Sequence, residues 1–168
     1  IAIGMDPRST GPAVLQAAAR VFRQMGIQVK FIGITSAPEA AARALLSDPG
    51  ENVLACYEIT PSHVAQGFQG TKLMLWTGQI LPWARAEAFN TDIREAAQDF
   101  NQVRQVIQWL QDTGMNDEID RILGQMPEEY AVAKAKYHRY LLQTFTGSSK
   151  TGAELDAGQR AGQRRRDQ

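Results

Sequence analysis

Apolar and polar positions divide the first eighty residues into short alternating segments. Ile1 to Met5 is an apolar run that stops at Asp6-Pro7-Arg8, the pattern of a short buried strand leading into a loop. Ser9 or Thr10 can cap a helix, with Pro12 in its first turn. Val14, Ala17, Ala18, Val21, Phe22 and Met25 then recur at three- and four-residue steps, which predicts an amphipathic helix ending at Gly26. Ile27 to Ile34 carries β-branched and aromatic residues and predicts a second strand. An alanine-rich helix is expected from Pro38 to near Ser47, followed by an Asp48-Pro49-Gly50 turn. Val53 to Ile59 and Lys72 to Trp76 complete four predicted strands, separated by the polar loop 60–70. Strand–helix alternation of this kind predicts an α/β layer fold with a largely parallel sheet, whose ligands bind beyond the carboxyl ends of the strands. Asp6–Arg8 and Thr60–Gly70 both follow strands directly, and this topology can set them side by side.

From Trp83 the strand pattern gives way to helical spacing. Phe100, Val103, Val106, Ile107 and Leu110 keep it, as do Ile119, Ile122 and Leu123. A last helix is expected from about Glu128 to Phe145, with Tyr137, Tyr140, Leu141 and Leu142 on its apolar side. These stripes read as packing surfaces. Residues 146–168 are rich in Gly, Ser, Gln and Arg and predict a flexible tail. Arg164-Arg165-Arg166 lies there, offset by Glu154, Asp156 and Asp167, and reads as a solvated end. The expected organisation is one domain over residues 1–145, with a helical extension at about 98–136, and then the tail.

Composition narrows the function. With 168 residues the chain can bury a core without disulfides or a structural metal. Eighteen Lys+Arg balance eighteen Asp+Glu, so no global field favours nucleic acid or an anionic membrane, and neither is an expected partner. No apolar run reaches the roughly 18 residues that span a bilayer. The single cysteine, Cys56, lies in an apolar run and reads as a buried strand thiol in a reducing, cytoplasmic setting. One Cys and two His are too few soft ligands for a zinc cluster. The chain opens on Ile1-Ala2-Ile3-Gly4 with no initiator Met, and an upstream segment is expected.

The stretch that carries chemistry runs from Ile59 to Lys72. Ser62 sits in a loop held by two strands, Gly67 and Gly70 permit tight backbone near an anion, and Lys72 returns a positive charge. Serine can accept and release a phosphoryl group if it is aligned and positive charge surrounds the equatorial oxygens. His63 and Lys72 are candidates for proton handling or charge stabilisation, and Arg8 is a candidate anion clamp. A serine-hydrolase elbow is excluded, because Ser62 is flanked by Thr60-Pro61 and His63-Val64 in place of the two glycines. Gly67 to Lys72 is no P-loop: it lacks the G-K-[S/T] ending and precedes a strand.

Thr60, Ser62, His63, Gly70 and Lys72 stand at the spacings of the active-serine signature T-A-S-H-N-P, three residues, N-G-x-K. Gly4-Met5-Asp6-Pro7-Arg8 matches G-x-D-x-R, and Gly33 to Pro38 and Gly78 to Pro82 match the intervening and following segments. Residues 1–95, and more loosely the helix at Tyr137–Leu142, thus resemble the first domain of the α-D-phosphohexomutases, the phosphoglucomutases and phosphomannomutases. The expected fold is a three-layer α/β/α domain with a mostly parallel, four-stranded mixed sheet and a C-terminal helical extension. Val64-Ala65 stands where the signature has Asn-Pro, Gln69 where it has Asn, and Pro61 where a small residue is common.

The resemblance implies a role for each matched position. Ser62 would carry the phosphoryl group and pass it between hydroxyls of a hexose phosphate. His63 and Lys72 would assist at the reacting oxygen, and Arg8 would support the phosphoserine. A magnesium ion would touch Ser62 through its phosphate and be held mainly by aspartates of a second domain absent from this sequence. A sugar bisphosphate would serve as activator, and the remaining mutase domains as partners. The changed loop and the long helical stretch support a different expectation, a non-catalytic scaffold or protein-interaction domain. A simple phosphate-ligand binding module is a third.

Overall fold

The protein is described by a computed structural model covering residues 1–48, 50–61, 65, 68–112 and 114–146. Four strands form one sheet: β1 (Ala2–Met5), β2 (Lys30–Ile34), β3 (Ala55–Ile59) and β4 (Thr71–Leu75). Their order is β2-β1-β3-β4, with β1 parallel to both neighbours and β4 antiparallel to β3. The sheet is therefore mixed and mostly parallel, and the loop that turns from β3 into β4 leaves from the same edge as the end of β1.

Two helices link the parallel strands, α1 (Gly11–Gln24) and α2 (Ala37–Leu45). Four more follow β4: α3 (Trp83–Gln98), α4 (Phe100–Asp112), α5 (Asn116–Gly124) and α6 (Met126–Thr146). Alternation along the strands divides the core in two. Ala2, Ile32, Cys56 and Met74 point to one face and pack with Ala40 and Ala44 of α2 and Ala133 of α6. Ile3, Phe31 and Ile59 point to the other and pack with Leu15 and Ala19 of α1 and with Ile119 and Ile122 of α5. Phe22 of α1 meets Tyr57 of β3 edge-on, with ring centres 5.6 Å apart. The result is a three-layer α/β/α domain in which α5 and α6, from the far end of the chain, complete both outer layers.

Local sequence explains the helix boundaries. Ser36 and Glu39 form a reciprocal capping box at the start of α2, and Pro lies in the first turns of both α1 and α2. The buried line of α1 runs Gly11–Leu15–Ala19, one position off the predicted stripe, and leaves Val21 and Met25 exposed. On α6 the buried residues are Ala133 and Lys136; the expected Tyr137–Leu142 side is only half-covered.

Lys136 is buried because acids surround it. Its ammonium donates to the Leu46 carbonyl at 2.5 Å, Asp48 at 2.9 Å and Glu51 at 2.7 Å. Arg43 of α2, with a fully buried side chain, reaches Glu51 at 3.1 Å and Glu129 of α6 at 3.5 Å. Lys30 pairs with Glu129 at 2.6 Å, and Lys134 binds Glu39. Burial by itself would raise Glu51, but the Lys136 hydrogen bond, the Asp48 backbone N–H and the charges of Arg43 and Lys136 hold it down at about 2. A chain of ion pairs thus fastens α6 to α2 and β2.

The stripe on α4 is covered far less: Leu110 is half-buried, and with Ile107 it lines a cleft against Ala13 and Ala17 of α1. Neither helix has a buried residue, and Phe100, Val106 and Ile107, expected as a packing face, are exposed. Trp83, Phe89 and Ile93 of α3 are exposed as well. Among the described residues no helix is long and apolar enough to cross a membrane.

Candidate active site

β1 and β3 end together. Met5 pairs with Ile59, the Asp6 N–H donates to the Ile59 carbonyl at 3.0 Å, and the Thr35 N–H donates to the Met5 carbonyl at 3.0 Å. Three chain segments therefore leave the sheet side by side: Asp6–Thr10, Thr35–Ser36 and the loop beginning at Thr60.

Arg8 joins the first of these to the third. Asp6 fixes it locally, accepting from the Arg8 backbone N–H at 3.2 Å and pairing with Nε at 3.1 Å. Its Nη1 then donates to the carbonyls of Ala65, at 2.8 Å, and Phe68, at 3.1 Å. A fork with several fixed donors suits this bridging. The Gln69 amide adds a second tie, donating to the Thr10 hydroxyl at 3.3 Å. The loop that the sequence singles out is thus tethered across its span to the end of β1.

Lys72 enters from the far side of the loop, on β4 opposite Glu58 of β3. Ser62 and His63 lie outside the described residues. Of the four candidates read from the sequence, Arg8 bonds the loop at Ala65 and Phe68, and Lys72 lies in β4, two residues after the loop ends at Gly70.

The sequence reading missed Glu58. It is fully buried, one residue before the end of β3, in the row Gly4–Glu58–Lys72 that follows Ala2–Cys56–Met74 along the sheet. Thr35 donates to its Oε2 at 2.9 Å, while Oε1 is buried with no hydrogen-bond partner among the described residues. Gly4 makes the space: a Cβ there would overlap Thr35 Oγ1 and stand 2.5 Å from Glu58 Oε2. Thr35 reaches this position because β2 carries an extra residue against β1, so that Ile3 pairs with Phe31 but Met5 with Ile34. Gly33 absorbs the irregularity with a φ of +77°. Burial pushes the Glu58 carboxyl up to about 7; the Thr35 hydrogen bond and the charge of Lys72 oppose this, and Glu39 and Asp6 add to it. One signal in the sequence could have found it: a lone carboxylate inside the apolar run Ala55–Ile59, in step with Cys56. Cys56 itself is buried and its thiol is pushed up to about 12 by burial, which makes it a packing residue, not a nucleophile.

Among the described residues, no three His, Cys, Asp or Glu side chains converge where they could hold a cation. These residues do not by themselves fit a magnesium cage.

The model of the phosphoglucomutase/phosphomannomutase α/β/α domain I matches residues 1–100. The chain belongs to this family. The match takes in all four strands, both strand-linking helices, the bridged loop and α3, and it ends where α4 begins. No curated protein sequence matches the chain. The phosphohexomutases are isomerases, and the mutase domain I described here has the expected mixed sheet between two helical layers.

Proposed function

We propose that this domain carries the phosphoryl group of a hexose-phosphate mutase on Ser62. The observation that supports this most is the bridge from Arg8 to the Ala65 and Phe68 carbonyls. It ties the G-x-D-x-R segment to the serine loop, two motifs more than fifty residues apart in sequence, at the carboxyl edge where α/β sheets bind ligands.

The transfer is an exchange of P–O bonds. The bond from phosphorus to Ser62 Oγ breaks as one forms to a sugar hydroxyl. The hydroxyl's proton leaves to a basic group, for which His63 and Lys72 are the candidates, and the serine oxygen recovers a proton. The reverse step at another position of the sugar completes the isomerisation and restores the phosphoserine. Lys72 supplies positive charge to the equatorial oxygens. Arg8, held by Asp6, keeps the loop in shape for the phosphate. A sugar bisphosphate charges the serine. Magnesium would be held mainly by residues of another mutase domain and would supply positive charge to the Ser62 phosphate; that domain and the sugar phosphate would be the partners. The lone, buried thiol of Cys56 accords with a cytoplasmic setting.

The test is intact-mass analysis with peptide mapping after incubation with a hexose 1,6-bisphosphate. One phosphoryl group on Ser62, lost in Ser62→Ala, is expected. An unmodified Ser62 in protein supplied with the remaining mutase domains overturns the reading.

A second reading draws on α3 and α4, whose large apolar side chains are exposed. In it the family fold persists as a non-catalytic scaffold and these helices bind a protein. It is favoured if Ser62 never takes a phosphate while Phe100→Ser and Trp83→Ser abolish a specific association.

A further inference from the structure

The apolar residues of α3 and α4 follow a pattern that neither core uses. On α3 they are Ala86, Phe89, Ile93 and Ala96; on α4 they are Phe100, Val103, Ile107 and Leu110. The steps between them alternate strictly, three then four, from Ala86 to Leu110. The step from Ala96 to Phe100 keeps the phase across the break at Asp99. Such a run, longer than three heptads, is the seam of a coiled coil. The outward positions are mostly polar, among them Glu87, Arg94, Glu95, Gln102 and Gln105.

The fold leaves most of this seam open. Phe100 is 81% exposed, and Phe89, Ile93 and Ile107 are at least half exposed. Its last turn alone leans inward, where Ile107 and Leu110 border the cleft beside α1. Among the described residues α3 packs on no element but α4, and α4 on none but α3 and α1. Asp99 interrupts the helix with φ −89° and ψ 96°, and it caps α4 by accepting from the Asn101 and Gln102 N–H groups. No Gly or Pro stands between Trp83 and Asp112 to force that break.

We propose that α3 and α4 join into one helix whose seam pairs with the same seam of a second copy of this chain, as a parallel two-stranded coiled coil. The seam itself selects this occupant. Ile93 and Ile107 hold the first seam position and Leu110 the second, the choice that favours two parallel strands. In that register Asp99 flanks the seam beside Arg104 of the second copy, and the pair occurs twice by symmetry. Arg85 then meets Asn90, Asp92 meets Ala97 and Val106 meets Gln111, so no like charges oppose. An antiparallel register would set Asp99 against Asp99. The open apolar surface of Phe89, Ile93, Phe100, Val103, Val106 and Ile107 is roughly 600 Å² per copy, which reaches the lower end of stable interfaces. Ordering Asp99 into the helix forfeits its cap and weakens the pair, so the dissociation constant is expected on the order of 10 μM. Below that concentration the copies part and the two helices open singly. The pairing does not depend on whether Ser62 takes a phosphate.

The experiment is sedimentation equilibrium of the whole chain from about 1 to 200 μM, with circular dichroism at the same concentrations. A monomer at the low end, a dimer at the high end and helicity rising between them are expected. Phe100→Asp on α4 and Phe89→Asp on α3 should each weaken the dimer at least about thirtyfold while leaving the urea midpoint of the sheet unchanged, because both side chains are exposed. Asp99→Lys and Arg104→Glu should each weaken it about fivefold, and the double variant should recover most of the loss. A chain that stays monomeric at 200 μM overturns the inference. So does a dimer that both aspartate variants leave intact, or one that the charge-swapped double variant fails to restore. If the remaining mutase domains protect the seam while the chain alone stays monomeric, another domain is its occupant and the inference falls.

Discussion

At the scale of single residues, the absence of one methyl group decides what the end of the sheet can hold. Gly4 sits where Thr35 and Glu58 converge, and any Cβ would displace both. Gly4→Ala is therefore an overpacking substitution in a buried strand. It should cost about 1–3 kcal/mol, measured by urea denaturation. Thr35→Ala in the same chain should recover part of the loss, because it removes the atom that the new methyl group meets first. Purely additive costs for the two substitutions would show that the strain lies elsewhere. The G-x-D-x-R spelling thus has two physical halves here. The glycine makes room for the buried acid, and the Asp6–Arg8 pair reaches out to the loop.

At the scale of elements, the strands and their order of appearance were legible because buried strands are apolar in short runs, α1 because of its proline and periodic stripe, although Thr10 makes no side-chain cap, and α2 because its capping box and proline lie in the sequence. What was not legible was the choice between equivalent helix faces. On α6 Lys136 faces inward beside Ala133, and no hydropathy pattern assigns a lysine to a core. It is admitted by Asp48, Glu51 and the Leu46 carbonyl, which come from a turn about ninety residues away. Lys136→Met should destabilise the fold by about 1–2 kcal/mol, since Glu51 loses one of its two cations but keeps Arg43 and the Asp48 N–H, and Asp48 is largely exposed. The same variant should flatten the acid limb of the stability curve. Glu51 is depressed in the folded protein, so its contribution is full above the ordinary glutamate range, near 4.5, and is lost as pH falls toward about 2. Thermal denaturation between pH 2 and 6 measures both effects. An acid limb as steep in Lys136→Met as in the parent would remove Lys136 as its main cause. The same limit applied to the site: Arg8 and Lys72 were proposed from motif and charge, whereas Glu58 showed only as a lone carboxylate in an apolar run, and its pocket needed the bulge at Gly33, which only pairing reveals.

At the scale of the molecule, two populations of helix share one chain. α1, α2, α5 and α6 close the faces of the sheet and contribute Leu15, Ala19, Ala40, Ala44, Ile119, Ile122 and Ala133 to its two cores. α3 and α4 contribute nothing buried, although α4 has as clear an apolar stripe as α1. Isolated helices of this length are marginal in water, so tertiary burial must supply most of their stability. Here little is supplied, and the two helices should open without the rest of the fold. Hydrogen exchange tests this directly. Amides of α3 and α4 should exchange through local opening at least about a hundredfold faster than those of β1, β2 and β3, with little dependence on denaturant. The sheet amides should exchange only with global unfolding, and α6, held by its ion pairs, should follow the sheet despite coming after the labile pair in sequence. Equal protection of α4 and α6 would mean that something covers the α4 stripe in solution. Adding the remaining mutase domains and repeating the exchange would then show whether they are the cover: protection gained over α3 and α4, with the sheet unchanged, is the expected signature of a docking face.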